Sequence, residues 1–490
     1  LQLAADLLPD VAPGDVAATG LLGLSPTYWK ELRLAPSVIE QIVADEWDER
    51  VDCVSRTFLG LTVSCARCHD HKFDAISADD YYGLAGVFAS TQLDERPLLP
   101  KADADRIRAA RGRLRDLEGR LKSLSEKQDP AAATVSAEIA ALRAAEPQLD
   151  VPFAHVLREA AVYVLPQGDE MTQLQYRDGE ARDLPVFRRG NPGNPGAIVP
   201  RRFLTVLSPG APRMLNSGSG RLQLAEALTS EAAPLLARVI VNRIWDVYFG
   251  AGLVRTTSDF GVQGERPTHP ELLEYLSFQL VARGWDLKWL QREILMSTTW
   301  RQSSVWNASA DAIDPENRFL WRASHRRLDF EMWRDAALAA AGVLDLSMGG
   351  PGQSIDDLQS YRRSLYLVVA REELHPVLRM HDFPEASSHS PRREPTTTPL
   401  QQLYFLNSAW IESRAVQLRD RLESVAAEQR VRQAYVLLFA REPDAEELAA
   451  GLEFTAKHAA AGGATSDAER AAWADYLQAL MGLSEFVTLE

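Results

Sequence analysis

The most regular pattern of apolar and polar positions lies between residues 102 and 146. Apolar residues recur there at spacings of three and four, as in a heptad seam: Ile107, Ala110, Leu114, Leu117, Leu121 and Leu124. Asp129-Pro130 interrupts this run, and a second apolar series follows it: Val135, Ile139 and Leu142. The pattern predicts an antiparallel helical hairpin over residues 101–148. We interpret it as a spacer or packing arm, with a partner-binding coil as the alternative.

Helical periodicity also dominates both sides of this arm. Between residues 149 and 210 it gives way to short apolar runs that suit strands, near 162–165, 174–176 and 186–187. Tyr361–Ala370 is predicted as a further strand, with alternate apolar residues on one face. We therefore predict a mainly α fold with helical domains, a coiled-coil hairpin insertion and a small β-containing segment. The predicted division is a cysteine-bearing domain, the hairpin, a β-containing linker and a large helical domain: 1–100, 101–148, 149–210 and 211–490.

The composition and net charge exclude several classes to which this protein could belong. Hydrophobic residues make up 46% and charged residues 25% of the 490 residues, which excludes disorder as the main state. The net charge of −15 argues against nucleic-acid binding, because duplex binding needs a basic face. No uncharged apolar run reaches the roughly 18 residues of a membrane helix. The sequence begins Leu1-Gln2-Leu3 without a methionine, so we expect a fragment whose N-terminus, with an export signal, is missing.

The chain has three cysteines, and two of them belong to one short motif, Cys65-Ala66-Arg67-Cys68-His69. This is a C-x-x-C-H sequence, in which two thiols can add to the vinyl groups of one haem and the histidine can bind the iron. It predicts covalent haem c on Cys65 and Cys68, with His69 as the iron ligand.

Three other interpretations of the cysteines stay open. The alternative metal is zinc, held by Cys53, Cys65, Cys68 and His71, since thiolates and imidazoles suit that ion. A disulfide between Cys65 and Cys68 is the second, and free buried thiols are the third. Cys53 taken alone is interpreted as a small buried hydrophobic residue.

A second candidate site lies in a polar, proline-broken stretch after the predicted strand. It combines histidines, arginines and a threonine: His375, His381, His389, Arg392, Arg393 and Thr397. Loops that a rigid scaffold positions often carry binding or catalytic residues. A solvated loop is the competing interpretation.

One tripeptide, Asp259-Phe260-Gly261, matches the metal-binding sequence of protein kinases. No H-R-D catalytic loop or glycine-rich strand and loop accompanies it. We interpret it as a turn that follows a helix over residues 234–249.

Longer stretches carry a resemblance to known families. Thr57–Val63, the motif with its continuation to Asp74, and Tyr81–Phe88 together resemble the planctomycete cytochrome-C-type domain of large secreted proteins. Later stretches resemble the planctomycete-specific C-terminal domain that follows it in those proteins: Arg189–Pro192, Val199–Arg201, Ala237–Trp245, Ser258–Gly261, Gly264–Glu265, Thr268–Leu273, Thr396–Gln401 and Leu406–Asn407. The resemblance covers nearly the whole chain apart from the arm. It implies an exported, haem-associated protein, and it implies no known reaction, because both domains are of unknown function.

Two hypotheses follow from the sequence. The first is a periplasmic or secreted c-type haem protein that transfers electrons to a redox partner protein. The second is a metal-containing hydrolase or binding module that acts on an extracellular polysaccharide, motivated by the His375–Glu394 stretch and by many tryptophans. Neither hypothesis requires nucleic acid or a transmembrane segment in this chain.

Overall fold

The computed structural model describes residues 1–168, 171–386 and 389–489. It divides into two compact units. Unit 1 comprises Leu1–Trp245 and Gly252–Leu290, and unit 2 comprises Asp246–Ala251 and the chain from Gln291 onward. Helices account for 52% of the structure and the strands form only small sheets, which confirms the mainly α fold.

The division differs from the predicted boundary at residue 211. Residues 211–245 and 252–290 belong to unit 1 and not to a separate domain over 211–490. The reason is long-range packing: Leu215, Leu224 and Leu228 are buried in the same apolar core as the N-terminal helices. Burial of one shared core defines a compact unit irrespective of sequence distance.

Unit 1 contains helices that precede and follow the arm in sequence. The helices over Ala233–Phe249 and Leu287–Met296 end in residues that belong to unit 2. Pro36 starts the second helix at its first turn, and a capping box between Ser77 and Asp80 starts the third. The helices are α1 (Gly20–Gly23), α2 (Pro36–Val54), α3 (Ala78–Ala89), α4 (Lys101–Glu126), α5 (Ala131–Ala145), α6 (Arg221–Thr229), α7 (Ala233–Phe249), α8 (Pro270–Ala282) and α9 (Leu287–Met296).

The strands of unit 1 confirm the predicted β-containing segment. An antiparallel sheet has the order β1-β2-β3, and a separate hairpin joins β4 to β5. The register pairs Leu93 with Leu157 and Val164 with Leu174. The strands are β1 (Thr91–Pro97), β2 (Phe153–Gln167), β3 (Met171–Asp178), β4 (Leu184–Phe187) and β5 (Pro195–Val199).

The predicted arm is the hairpin of α4 and α5. Its heptad positions Ile107, Leu114 and Leu117 are buried, as is Val135 on the returning helix. An ion pair of 3.1 Å between Arg143 and Glu118 joins the two helices in antiparallel order. The seam is therefore satisfied mainly within the hairpin.

Unit 2 is helical around a core rich in aromatic residues. Trp333 lies at its centre, with its ring 5.0 Å from that of Phe330 and 4.9 Å from that of Phe405. Its helices are α10 (Ala308–Asp311), α11 (Phe330–Ala341), α12 (Pro376–Met380), α13 (Pro399–Asn407), α14 (Ala409–Leu422), α15 (Ala427–Phe439), α16 (Ala445–Ala461) and α17 (Ser466–Met481). Two short strands pair with each other: β6 (Arg326–Arg327) and β7 (Thr488–Leu489).

The predicted strand over Tyr361–Ala370 is wrong. The described chain has isolated bridges at Arg362 and Leu367 and a short 3-10 turn at Ser364–Tyr366. Asp335 holds this turn, because its Oδ1 accepts hydrogen bonds of 2.7 Å from both the amide and the hydroxyl of Ser364. No described helix combines the length and the apolar character that crossing a membrane requires.

Candidate functional site

The C-x-x-C-H motif lies in a tight turn of unit 1. After α2 the chain makes a π-helical turn over Ser55–Leu59 and reverses at Gly60, whose φ is +59°. A 3-10 helix then covers Val63–Arg67 and places Cys65 and Cys68 three residues apart. Cys65 lies within this helix and Cys68 is the residue that caps its C-terminal end. Both are exposed and all three cysteines of the chain are free thiols.

His69 is exposed next to these thiols and has one ring nitrogen engaged. Its Nδ1 lies 2.6 Å from the carbonyl oxygen of Asp70. A carbonyl only accepts hydrogen bonds, so Nδ1 carries the proton and Nε2 keeps its lone pair. This tautomer is the one in which imidazole binds a metal through Nε2. The two exposed thiols could therefore add to the vinyl groups of a haem, and Nε2 of His69 could bind its iron.

His71 has a different role from its neighbour. Its Nδ1 accepts hydrogen bonds from the amides of Asp74, at 2.8 Å, and Phe73, at 3.2 Å. Its Nε2 lies 3.0 Å from the hydroxyl of Thr62, to which it donates. Both ring nitrogens thus close the loop after the motif, and the structure gives His71 no free lone pair for a metal.

The alternative zinc ligands are not gathered in one place. Within the described ranges, no group of three or more His, Cys, Asp or Glu side chains is placed to hold a metal ion. Cys53 lies on α2, where it packs against the apolar core of unit 1. Burial raises the pKa of its thiol. These surroundings are those of a small hydrophobic residue.

A network of ion pairs and hydrogen bonds connects the motif to the neighbouring helices. Arg67, between the two cysteines, makes ion pairs with Asp45 at 2.6 Å and with Asp48 at 3.4 Å, both on α2. The hydroxyl of Tyr81 donates to Asp48 at 2.8 Å, and that of Tyr82 donates to the Arg67 carbonyl at 3.0 Å. Burial raises the pKa of Asp48 and raises that of Tyr82 to about 12. The network fixes the turn to both helices.

A second turn, over Arg188–Gly190, packs against Cys68 of the motif. Gly190 has a φ of +72°, and a Cβ at this position would be 2.7 Å from the sulfur of Cys68. Arg189 before it also has a left-handed backbone, with a φ of +56°. The sequence resemblance includes Arg189–Pro192 but does not place this stretch at the site. A glycine among turn-forming residues was the available signal.

The predicted turn at Asp259–Gly261 also packs against the motif loop. The amide of Phe260 donates to the Gly60 carbonyl at 2.7 Å, and the amide of Val262 donates to Oδ1 of Asp74 at 2.7 Å. A Cβ at Gly261 would lie 2.6 Å from that same oxygen. The tripeptide is a structural turn that supports the motif loop.

The residues of the C-terminal candidate site have separate partners. His375 pairs with Asp356 at 3.1 Å. Arg392 pairs with Glu394 at 2.9 Å, and Arg393 pairs with Glu331 at 2.6 Å. Thr397 accepts a hydrogen bond of 3.4 Å from Arg327, and His389 is exposed.

His381 belongs to the aromatic core of unit 2. It is 6% exposed and its ring lies within 5.4 Å of those of Phe330, Trp333 and Tyr404. Its Nδ1 donates to the carbonyl of Val377 at 2.9 Å, and burial lowers its pKa. A neutral, packed imidazole is the result.

Two family models match separate stretches of the chain. Residues 1–93 match the family PSCyt2, proteins of unknown function (DUF1549). Residues 220–455 match the family PSD1, also proteins of unknown function (DUF1553). A match to PSCyt2 is thus followed in the chain by a match to PSD1. The stretch that matches PSCyt2 holds the C-x-x-C-H motif, and the stretch that matches PSD1 includes Phe260 and Val262, which contact the motif loop.

The arm lies between the PSCyt2 and PSD1 matches, outside both. No curated protein matches the chain, and no solved structure does.

Proposed function

We propose that this chain is an exported c-type haem protein that transfers electrons. Cys65 and Cys68 hold the haem through thioether bonds and His69 binds its iron through Nε2. When bound, the haem supplies one-electron chemistry. The PSCyt2 match, whose family is of unknown function, is compatible with this proposal.

The observation that carries the proposal is the state of three neighbouring side chains. Two thiols three residues apart are exposed in one turn, and the adjacent His69 keeps a free Nε2. A buried structural cysteine pair would instead be packed, as Cys53 is. Exposure matters because the thioether bonds form on an accessible chain segment.

The surrounding residues keep the motif in place. Arg67 ties the turn to α2 through Asp45 and Asp48, and Tyr82 ties it to β4 through the carbonyl of Phe187 at 3.3 Å. A rigid turn lowers the reorganisation that accompanies a change of charge at the iron ligand. These residues position the site and do not take part in ligation.

The charge of the chain favours a particular kind of partner. A net charge of −15 attracts a basic protein and speeds its diffusional encounter. We therefore propose a basic redox partner outside the cytoplasm, where c-type haem is attached.

The proposal is tested by producing the chain with an export signal and the haem-attachment machinery. We expect a Soret band and a covalent mass increase of one haem. Cys65→Ser and Cys68→Ser each lose stable pigment, and His69→Ala keeps covalent haem with an altered spectrum.

Cys53→Ser is the matched control and retains the wild-type spectrum. A folded, exported protein without pigment and with unmodified cysteines would contradict the proposal.

A further inference from the structure

The arm carries a concentrated positive charge in an otherwise acidic chain. Residues 106–115 of α4 include five arginines and no acidic residue, while the net charge of the chain is −15. The five are Arg106, Arg108, Arg111, Arg113 and Arg115. A spacer needs no such concentration of positive charge.

Three of these arginines line a cleft between the arm and the sheet of unit 1. Arg108, Arg111 and Arg115 lie on one face of α4, and residues of β1 and β2 form the other wall. The cleft has a volume of about 530 Å³. This size is typical of sites for small molecules.

The guanidinium groups in the cleft differ in their partners. Arg108 forms ion pairs with Asp94 and Asp105. Arg111 lies over the ring of Phe153, 3.6 Å from its centroid. Among the described residues, no carboxylate lies within 4.0 Å of Arg111 or of Arg115. Two cations of the cleft therefore lack an anionic partner.

The geometry of these two cations suits an oxyanion. A guanidinium that stacks on an aromatic ring keeps the N–H groups at its edge free for a carboxylate or sulfate. Arg115 follows Arg111 by four residues, so their side chains leave neighbouring positions on the same helix face. An anion between them would also relieve their mutual repulsion.

The rest of the lining includes a carboxylate and two hydroxyl groups. The carboxylate of Glu95 is exposed in the cleft and forms no ion pair with a described residue. It repels a bare inorganic anion, whereas it accepts hydrogen bonds from hydroxyls. Ser25 and Thr27 add hydroxyl groups to the same lining. A ligand with both an oxyanion and hydroxyl groups satisfies both walls.

We propose that this cleft binds an acidic saccharide. Arg111 and Arg115 bind its carboxylate or sulfate group, and Glu95 accepts hydrogen bonds from its hydroxyls. The proposal is independent of haem, because none of these residues contacts the C-x-x-C-H motif.

The test is isothermal titration calorimetry on the whole chain with four probes: digalacturonate, a sulfated disaccharide, inorganic phosphate and neutral cellobiose. We expect at least one acidic disaccharide to bind at least about tenfold more tightly than phosphate or cellobiose. Digalacturonate or the sulfated disaccharide as the tighter ligand identifies the oxyanion.

The variant that tests the site is Arg115→Ala, because this exposed side chain can be removed without disturbing the core. It should weaken binding at least about tenfold. Arg113→Ala is the matched control, since Arg113 is exposed on the same segment but does not line the cleft. It should change the affinity less than about twofold.

Three results would overturn the proposal. They are the absence of saturable binding by both acidic disaccharides, binding of phosphate as tight as theirs, and an equal loss of affinity in Arg113→Ala and Arg115→Ala.

Discussion

Replacing Gly190 with alanine tests the contact between the Arg188–Gly190 turn and the motif. The new methyl carbon would lie 2.7 Å from the sulfur of Cys68, well inside van der Waals contact. The residue would also have to keep a φ of +72°, which L-residues rarely adopt. Two separate costs therefore act at one position.

The two costs can be estimated separately. A left-handed backbone costs an alanine about 1–2 kcal/mol. Overpacking against the sulfur adds about 1–3 kcal/mol. Gly190→Ala should thus lower the free energy of unfolding of unit 1 by about 2–5 kcal/mol.

Gly179→Ala is the matched control for the backbone cost. Gly179 has a φ of +71° and nothing within 4 Å of its would-be Cβ. This variant should cost about 1–2 kcal/mol. Amide hydrogen exchange of peptides from α2 and α3, measured on protein made without haem attachment, reports both costs.

Removing the sulfur gives the decisive comparison. In the Gly190→Ala, Cys68→Ala double variant the nearest remaining atom is the Cβ of residue 68 at 3.9 Å, an ordinary contact. The double variant should therefore recover most of the overpacking cost relative to Cys68→Ala alone. Equal destabilisation by Gly190→Ala and Gly179→Ala, or no recovery, would refute the contact.

Further predictions concern buried polar groups. His71→Ala removes the hydrogen bonds that close the motif loop, so we expect about 1–3 kcal/mol of destabilisation and faster amide exchange at Asp74. Asp6→Ala leaves the fully buried Arg221 without its bidentate partner at 2.7 and 2.8 Å, which should cost about 3–5 kcal/mol by chemical denaturation. Burial lowers the pKa of His381, so at acidic pH this histidine binds a proton in the unfolded chain but not in the folded unit 2. The free energy of unfolding of unit 2 should therefore fall as the pH drops below about 6.5. His381→Gln should flatten this pH dependence, and an unchanged slope would contradict the assignment.

Features set by local sequence were predictable. The hairpin of α4 and α5 follows from heptad spacing that its own two helices satisfy. The motif is equally local, because five consecutive residues carry the thiols and the imidazole. The hydrogen bonds of His69 and His71 were not predictable, since they depend on which backbone groups each ring meets after folding.

Features set by distant contacts were missed. Gly190 lies 122 positions from Cys68, and Phe260 lies 200 positions from Gly60, so no sequence period links them. The same reason explains the boundary of unit 1, where Leu224 joins an N-terminal core. The strand predicted around Leu365 failed because alternation needs a neighbouring strand, and this side chain is 72% exposed.

The most direct test of the central claim is peptide mapping of the exported protein. Trypsin cleaves after Arg56, Arg67 and Lys72, so it separates Cys53, Cys65 and Cys68 into three peptides. A haem bound to both cysteines of the motif keeps Thr57–Arg67 and Cys68–Lys72 joined after digestion. We predict one haem-linked pair of these peptides and an unmodified Cys53 peptide. Recovery of all three peptides as unlinked, unmodified thiols from folded protein would contradict the account.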